Sequence, residues 1–376
     1  MFRKRILLAS LLKPVSDTRM YGKIGKSLAK MAGTEIHVAG FVSKNFNPTE
    51  PGIQVHPVFN FSRLSWQRVA AQFTYWRLLK NIKPQLVIVG THELLLPSWW
   101  YCRLHSCKLV YDVRENYYVN LTTQGVYPVA GKLLGLLVRA IEKVTAPAVH
   151  HFLLAEASYA HELPFIGTSY TVLQNKYQPL PLQVQVGRKT SVHLAAASPL
   201  RLLFSGTISQ LYGVLEAVRF VEQLRHYVPD AQLTIIGYCA DQTFLGELKK
   251  KISPLPFVQL IGGEALVPHA QILEEEKRHH VGLLPYHPHP STFHCVPTKL
   301  FEYLGNGLVT VAQYNPHWNQ MIEAADAGFG YDFSKSVTRQ TVQLLLEKTF
   351  YQNGLPAQVF WANEEPRLER LMRQLL

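Results

Sequence analysis

Residues 294–311 read HCVPTKLFEYLGNGLVTV. Pro297 suits the first position of a helix, where a missing N–H is no loss. Leu300, Phe301 and Leu304 then fall at i, i+1 and i+4 and form a buried stripe. Lys299 and Glu302, three apart, share an exposed face. Gly305 is placed to stop the helix in a left-handed cap, and 308–312 reads as the next buried strand. The spacing predicts a short helix whose N-terminal end carries a positive partial charge, the Thr298 hydroxyl and the Lys299 ammonium. One turn further in stands the Glu302 carboxylate. Such an end grips a nucleotide diphosphate, with cation and helix end for the phosphates and carboxylate for ribose hydroxyls. The plainer reading of the same two residues is a solvated pair worth a few tenths of a kcal/mol.

Outward from this stretch the same rhythm repeats. Residues 202–205 form a strand, Gly206-Thr207-Ile208-Ser209 a tight turn, and Gly213 opens a helix with Val214, Val218 and Val221 inward. Residues 232–236 followed by Gly237 repeat strand-then-glycine, and 257–261 and 281–285 supply further strands. In the first half, 5–11 is a buried strand followed by a loop with Lys13, Asp17, Thr18 and Arg19, then a helix over 22–31 and a strand over 35–41. Helical spacing runs through Val69, Phe73 and Trp76. A strand at 85–89 ends in Gly90-Thr91-His92-Glu93, and one at 108–111 ends in Asp112-Val113-Arg114-Glu115-Asn116. A helix near 129–146 and a strand at 150–155 close this half. Strands alternating with helices argue for parallel sheets covered on both faces, whose ligands bind beyond the carboxyl ends of the strands. Periodicity is lost over 175–199, which reads as a linker between a 1–174 domain and a 200–355 domain.

The chain has 376 residues, 47% of them apolar and 17% charged, which fits two globular domains and excludes a disordered chain. A net charge of +12 points to an anionic partner. No Lys/Arg run interleaved with aromatics appears, so nucleic acid is not the partner expected. Cys102, Cys107, Cys239 and Cys295 lack metal or disulfide-framework spacing, as in a reduced cytosolic protein. The start MFRKRILLASLL imitates a signal peptide but runs directly into a folded pattern, and no apolar run is long enough to span a bilayer. His287, His289, His294 and Cys295 in HPHPSTFHC do not follow a zinc pattern, so no metal is expected.

These pieces resemble the glycosyltransferase group 1, or family 4, enzymes of the GT-B fold. The resemblance covers nearly the whole chain. It is carried by FSGT at 204–207 with Gly213 after it, LTIIG at 233–237 and PTKLFEYLGNG at 297–307, with KPQLVIVGTHE and LVYDVRENYY in the first half. It implies an α/β architecture of two doubly wound, Rossmann-like domains facing a central cleft, with a C-terminal helix within 356–376 crossing back to the first domain. Glu302 matches the second of two glutamates that relatives carry with seven residues between them, while His294 stands at the first. The loop SQLYG at 209–213 lacks the arginine and lysine of many relatives, and Tyr111 stands where they often carry a histidine.

The resemblance implies a retaining, metal-independent transferase that moves a sugar from a nucleotide diphosphate sugar to a glycan or lipid-linked acceptor, as in surface-polysaccharide synthesis, without a cofactor. The donor would meet Gly206, Thr207, Gly237, His294, Pro297, Thr298, Lys299 and Glu302. Lys299 would stabilise the leaving diphosphate. Asp112 or Glu115 would act on an acceptor hydroxyl, with Asp17, Arg19, His92, Glu93 and Arg114 around it. An ordinary strand-to-helix turn at Gly206 and a local ion-pair cluster at Asp112 are the plainer readings. An epimerase of the same architecture and a catalytically silent sugar-nucleotide binder are the alternatives. The charge and the Leu-rich helix with Lys132, Arg139 and Lys143 lead us to expect a cytoplasmic protein attached peripherally to an anionic membrane surface; the plainer reading makes that helix ordinary core.

Overall fold

The run KRILLASLLKP forms β1 (Lys4–Pro14), and its central residues are buried on both faces, as a strand inside a parallel sheet requires. The computed structural model describes every residue except 1–2, 44–45, 49, 63–64, 124–129 and 181–190. The chain divides into two units, Met1–Asn175 with Trp361–Leu376, and Lys176–Phe360.

In the first unit β1 is followed by a π-type helical segment, Thr18–Gly25, running into α1 (Lys26–Ala29). Then come β2 (Thr34–Phe41), β3 (Ile53–Phe59), α2 (Gln67–Ile82), β4 (Leu86–Val89), α3 (Leu95–Leu104) and β5 (Lys108–Val113). The series continues through α4 (Tyr117–Thr123), α5 (Gly131–Thr145), β6 (His151–Leu154), α6 (Tyr159–Glu162) and β7 (Tyr170–Val172). The described strands form one parallel sheet in the order β3-β2-β1-β4-β5-β6-β7. Winding reverses between β1 and β4, so the ends of these two strands mark the place where such sheets hold ligands. One face is packed by the segment after β1 and by the C-terminal helix, Glu365–Leu375, through Ile6, Leu8, Ile24, Trp361, Leu368 and Met372. Trp361 Nε1 donates to Ser27 Oγ at 2.9 Å.

Two expectations are corrected here, and one strand is added. Residues 18–21 are helical rather than loop, so Arg19 rides on a rigid element. Residues 53–59, to which the sequence assigns no element, form a strand whose edge position permits Pro57. On α2 the buried side is Ala71, Tyr75, Leu79 and Ile82, while Val69 and Phe73 are exposed.

The second unit contains β8 (Val192–His193), β9 (Arg201–Thr207), α7 (Val214–Leu224), β10 (Gln232–Tyr238), α8 (Gln242–Ile252), β11 (Val258–Gly263) and α9 (His269–Arg278). It continues with β12 (Val281–Leu284), α10 (Thr298–Asn306), β13 (Val309–Gln313), α11 (Pro316–Ala324), β14 (Gly328–Tyr331), α12 (Arg339–Glu347) and β15 (Thr349–Phe350). Its parallel sheet has the order β11-β10-β9-β12-β13-β14, with the reversal between β9 and β12; β8 and β15 form a separate antiparallel pair. The expected linker is partly built into this unit, because Tyr177 and Leu194 belong to its core. Its stretch 181–190, including Pro181, lies outside the described residues.

Gly206 and Thr207 are the last residues of β9 rather than a turn, and Gly237 lies within β10. The opening stretch folds as a helix and strand, shifted from the expected punctuation. Pro297 is the residue before α10, Gly305 is inside it, and Gly307 (φ 73°) supplies the left-handed cap.

Candidate functional site

The residues that bear chemistry gather at the strand ends of each unit. In the second unit α10 follows β12 and points its N-terminus to the reversal point of the sheet. Pro297, the residue before the helix, has no hydroxyl or carboxylate and makes no side-chain cap hydrogen bond. The first turn of such a helix carries a positive partial charge that suits an anionic ligand.

Lys299 and Glu302 do not share a solvated face. Glu302 is 2% exposed and its oxygens are divided between two partners: Oε1 lies 2.8 Å from His269 Nε2, and Oε2 pairs with Lys299 Nζ. Burial would raise this carboxyl, but Lys299 and then His269 outweigh it and hold it well below the usual carboxylate range. A second carboxylate, Glu276 from α9, is fully buried 3.4 Å from Lys299 Nζ. It accepts from Asn306 Nδ2 at 2.7 Å, and Ser205 Oγ lies 3.4 Å away. Burial, opposed by Lys299 and reinforced by Glu302, pushes its pKa up to about 8. Lys299 thus stands between Glu302, whose carboxylate form it favours, and Glu276, whose ionisation burial opposes.

The strand ends form the wall beside it. The Lys299 stem runs past Gly206, whose φ of 114° favours glycine. A Cβ on Gly237 would fall 1.6 Å from the Gly206 carbonyl oxygen, so glycine is required by the close approach of β10 to β9. Thr207 is exposed at the end of β9. His294 is exposed on the loop before α10, with its ring against Phe293, and the described contacts do not tie it to the Lys299 cluster. His287 pairs with Glu216 at 3.1 Å and His289 with the Ser291 hydroxyl at 2.8 Å.

In the first unit Asp112, at the end of β5, is 1% exposed and held by two arginines. Arg19 reaches it through Nε and Nη2 at 2.7–3.1 Å, and Arg114 Nε donates to Oδ2 at 2.7 Å. Arg114 Nη1 also pairs with Asp17 at 2.9 Å, and Asp17 accepts from the Met20 N–H. Burial would raise Asp112, yet Arg19 and Arg114 outweigh it and lower its pKa. Both its oxygens are occupied by guanidinium groups, so Asp112 is an anchor rather than a ready proton acceptor. Arg114 lies against the backbone of Gly90, where a Cβ would come within 2.8 Å of Nε.

Glu115 is the accessible carboxylate of this cluster, 3.6 Å from Lys13 Nζ and accepting from Asn120 at 3.1 Å. His92 is buried edge-on to Tyr117, its pKa lowered by burial, and Nδ1 makes no hydrogen bond. Glu93 is paired with Arg68. The structure therefore joins Asp17, Arg19, Asp112 and Arg114 into one network, and Lys299 and Glu302 into another.

Sequence reasoning missed Glu276 and His269. Glu276 follows Ile272 and Leu273 at helical spacing, so a carboxylate continues an apolar stripe, and that was a readable signal of a buried acid. His269 carried none, since its partner is 33 residues away on another helix.

No protein-family profile matches the chain, and no curated protein matches it in sequence. Solved structures match over nearly its whole length. A sucrose-phosphate synthase from Thermosynechococcus elongatus is similar with a TM-score of 0.69 and 14% identity, over 99% of both chains. Anabaena HepE in complex with UDP and glucose gives 0.66 and 13% identity, over 99% of this chain and 100% of that one. A UDP-N-acetylglucosamine 2-epimerase gives 0.55 and 11%, over 99% and 96%. At such identities the likeness is one of fold. The two units are the two Rossmann-like halves of the GT-B fold.

Proposed function

We propose that this protein is a metal-independent hexosyltransferase. It moves a sugar, with retention, from a nucleotide diphosphate sugar to a glycan or lipid-linked acceptor in cell-surface polysaccharide synthesis. The observation that supports this reading is Lys299, a partly buried cation in the first turn of α10, fixed by Glu302 and Glu276. When the bond from the anomeric carbon to the diphosphate oxygen breaks, negative charge grows on the leaving group. A cation and a helix end already in place stabilise that charge without reorganising. In this reading they supply the positive charge a metal would otherwise bring, and Glu302 takes the ribose hydroxyls.

The acceptor is assigned to the first unit. Glu115 receives the hydroxyl proton, and the Arg114 network fixes the strand ends around it, with His92 nearby. Three of the similar structures hold UDP or UDP-glucose, which makes UDP the first nucleotide to test.

Because Glu302 is buried in an ion pair, Glu302→Gln is a cleaner test than truncation to Ala. Nucleotide binding by calorimetry should weaken by about tenfold, the loss of roughly one charged hydrogen bond. Lys299→Gln should depress turnover more than affinity, because its charge matters most in the transition state. Full activity in both variants would remove the donor-site assignment. The epimerase structures among the matches support a second reading, of an epimerase, and incubation with a UDP-sugar lacking acceptor separates the two. An isomerised donor favours the epimerase. Donor binding without turnover, even with an acceptor that matches, favours a silent binder.

A further inference from the structure

Winding places α2, α3 and α5 side by side on the face of the first sheet opposite the C-terminal helix. The inner sides of these helices are packed; Tyr75 of α2 shares a buried hydrogen bond of 2.8 Å with Ser98 of α3. Their outer sides carry large apolar side chains among the polar ones, where outward faces of such helices are usually polar throughout. Trp66 is 88% exposed at the start of α2, and Phe73, two turns on, is 70% exposed. On α3 the outer stripe is Leu96, Trp100 and Leu104, four apart. On α5 it includes Leu133 and Leu137, also four apart, with Val144 beyond. Most of the large apolar side chains exposed among the described residues lie on these three neighbouring helices. Soluble monomers rarely expose apolar patches beyond a few hundred Å² without a partner.

The charge on this layer has one sign. Exposed Arg77 and Lys80 on α2, Arg103 on α3, and Lys132 and Lys143 on α5 are all cationic. The only carboxylate within the three helices, Glu142, is buried and accepts from the Tyr111 hydroxyl at 2.9 Å. Arg139, expected among the basic residues facing outward, turns inward instead to Asn116 at 3.1 Å and towards Glu142.

We propose that the outer faces of α2, α3 and α5 dock on the surface of a bilayer containing anionic lipid. Trp66, Phe73, Trp100 and the α5 leucines enter the interface, while the lysines and arginines meet lipid phosphates. Three adjacent helices with apolar stripes and cationic margins have the composition of interfacial helices. Trp at the water boundary and basic residues against negative headgroups are favoured for separate physical reasons. No helix among the described residues is long and apolar enough to cross a membrane, so the contact is with the surface. The inference adds a place of work to the transferase reading and rests on it only for the lipid-linked acceptor; the docking itself stands on exposure and charge.

Vesicle flotation of the whole protein without sugar nucleotide tests the docking independently of the reaction. Binding to vesicles of equal phosphatidylcholine and phosphatidylglycerol should exceed binding to phosphatidylcholine alone by at least about tenfold and fall with salt. The triple variant Trp66→Ser, Phe73→Ser, Trp100→Ser should lose binding at an unchanged melting temperature, since all three side chains are exposed. The variant Arg103→Gln, Lys132→Gln, Lys143→Gln should lose the preference for the anionic vesicle. Equal binding to both vesicles, binding to neither, or wild-type binding by the apolar variant would each overturn the proposal. So would a concentration-dependent dimer that the same apolar substitutions abolish, which would assign the face to a second copy.

Discussion

Glu276 and Glu302 lie on either side of one lysine, and their environments drive their protonation apart. Glu276 has a folded-state pKa raised from 4.5 to about 8 by burial, with Lys299 opposing and Glu302 reinforcing. The folded protein then holds a proton that the unfolded chain releases, so this residue's contribution to stability is full below about pH 4.5 and is lost as pH rises towards 8. Glu302 works in the opposite direction, and its contribution is lost as pH falls below the ordinary glutamate value. Glu276→Gln keeps the shape of the neutral acid and removes its titration. Melting temperature followed from pH 4.5 to 8 should decline less steeply in this variant than in the wild type. Parallel curves would show that Glu276 is ionised throughout. Asp112 gives a second test. If it anchors Arg19 and Arg114, Asp112→Asn should destabilise the first unit by about 3–5 kcal/mol in urea titration, as removal of one partner from a buried ion pair does. A stable but inactive variant would return it to the role of proton acceptor.

The elements hold these residues through specific bonds between helix and strand. Tyr303 on α10 accepts the Ser205 N–H at 3.0 Å and lies 3.0 Å from the Ser205 hydroxyl, beyond the ladder between β9 and β12. Tyr303→Phe orphans that buried N–H and should cost about 1–3 kcal/mol of unfolding free energy. It should also loosen the position of Lys299 and lower turnover. A change below half a kcal/mol would mean that water replaces the hydroxyl. At this scale the sequence was most legible. Runs such as LLASLL and LVIV permit only buried strands, and Val214, Val218 and Val221 face the core as their spacing predicts. Element ends were less legible, because Gly206 and Gly305 look like breakers but are held inside a strand and a helix by the neighbours they touch. The Lys299–Glu302 pair was legible as a pair but not as a buried one. Its burial comes from α9, which brings His269 and Glu276 from more than twenty residues away.

At the scale of the whole molecule, the second unit is one continuous stretch, while the first is made of two, joined through Trp361 and the C-terminal helix. A fragment covering residues 176–360 contains every strand of its own sheet and should fold alone, with a cooperative melt and the nucleotide affinity of the full chain. A chain cut after residue 360 should keep that melt and lose or lower the other, because Ile6, Leu8 and Ile24 lose the cover of Trp361 and Leu368. A single merged transition in the full chain and in the chain cut after residue 360 would contradict this independence. The same connectivity orders events on the ribosome, where domains generally fold as they emerge. The sheet that is translated first waits for its last covering helix until the whole of the other unit has been made. In that interval its uncovered apolar face is available to chaperones or to wrong partners, so the part of the protein begun earliest is the last to be finished.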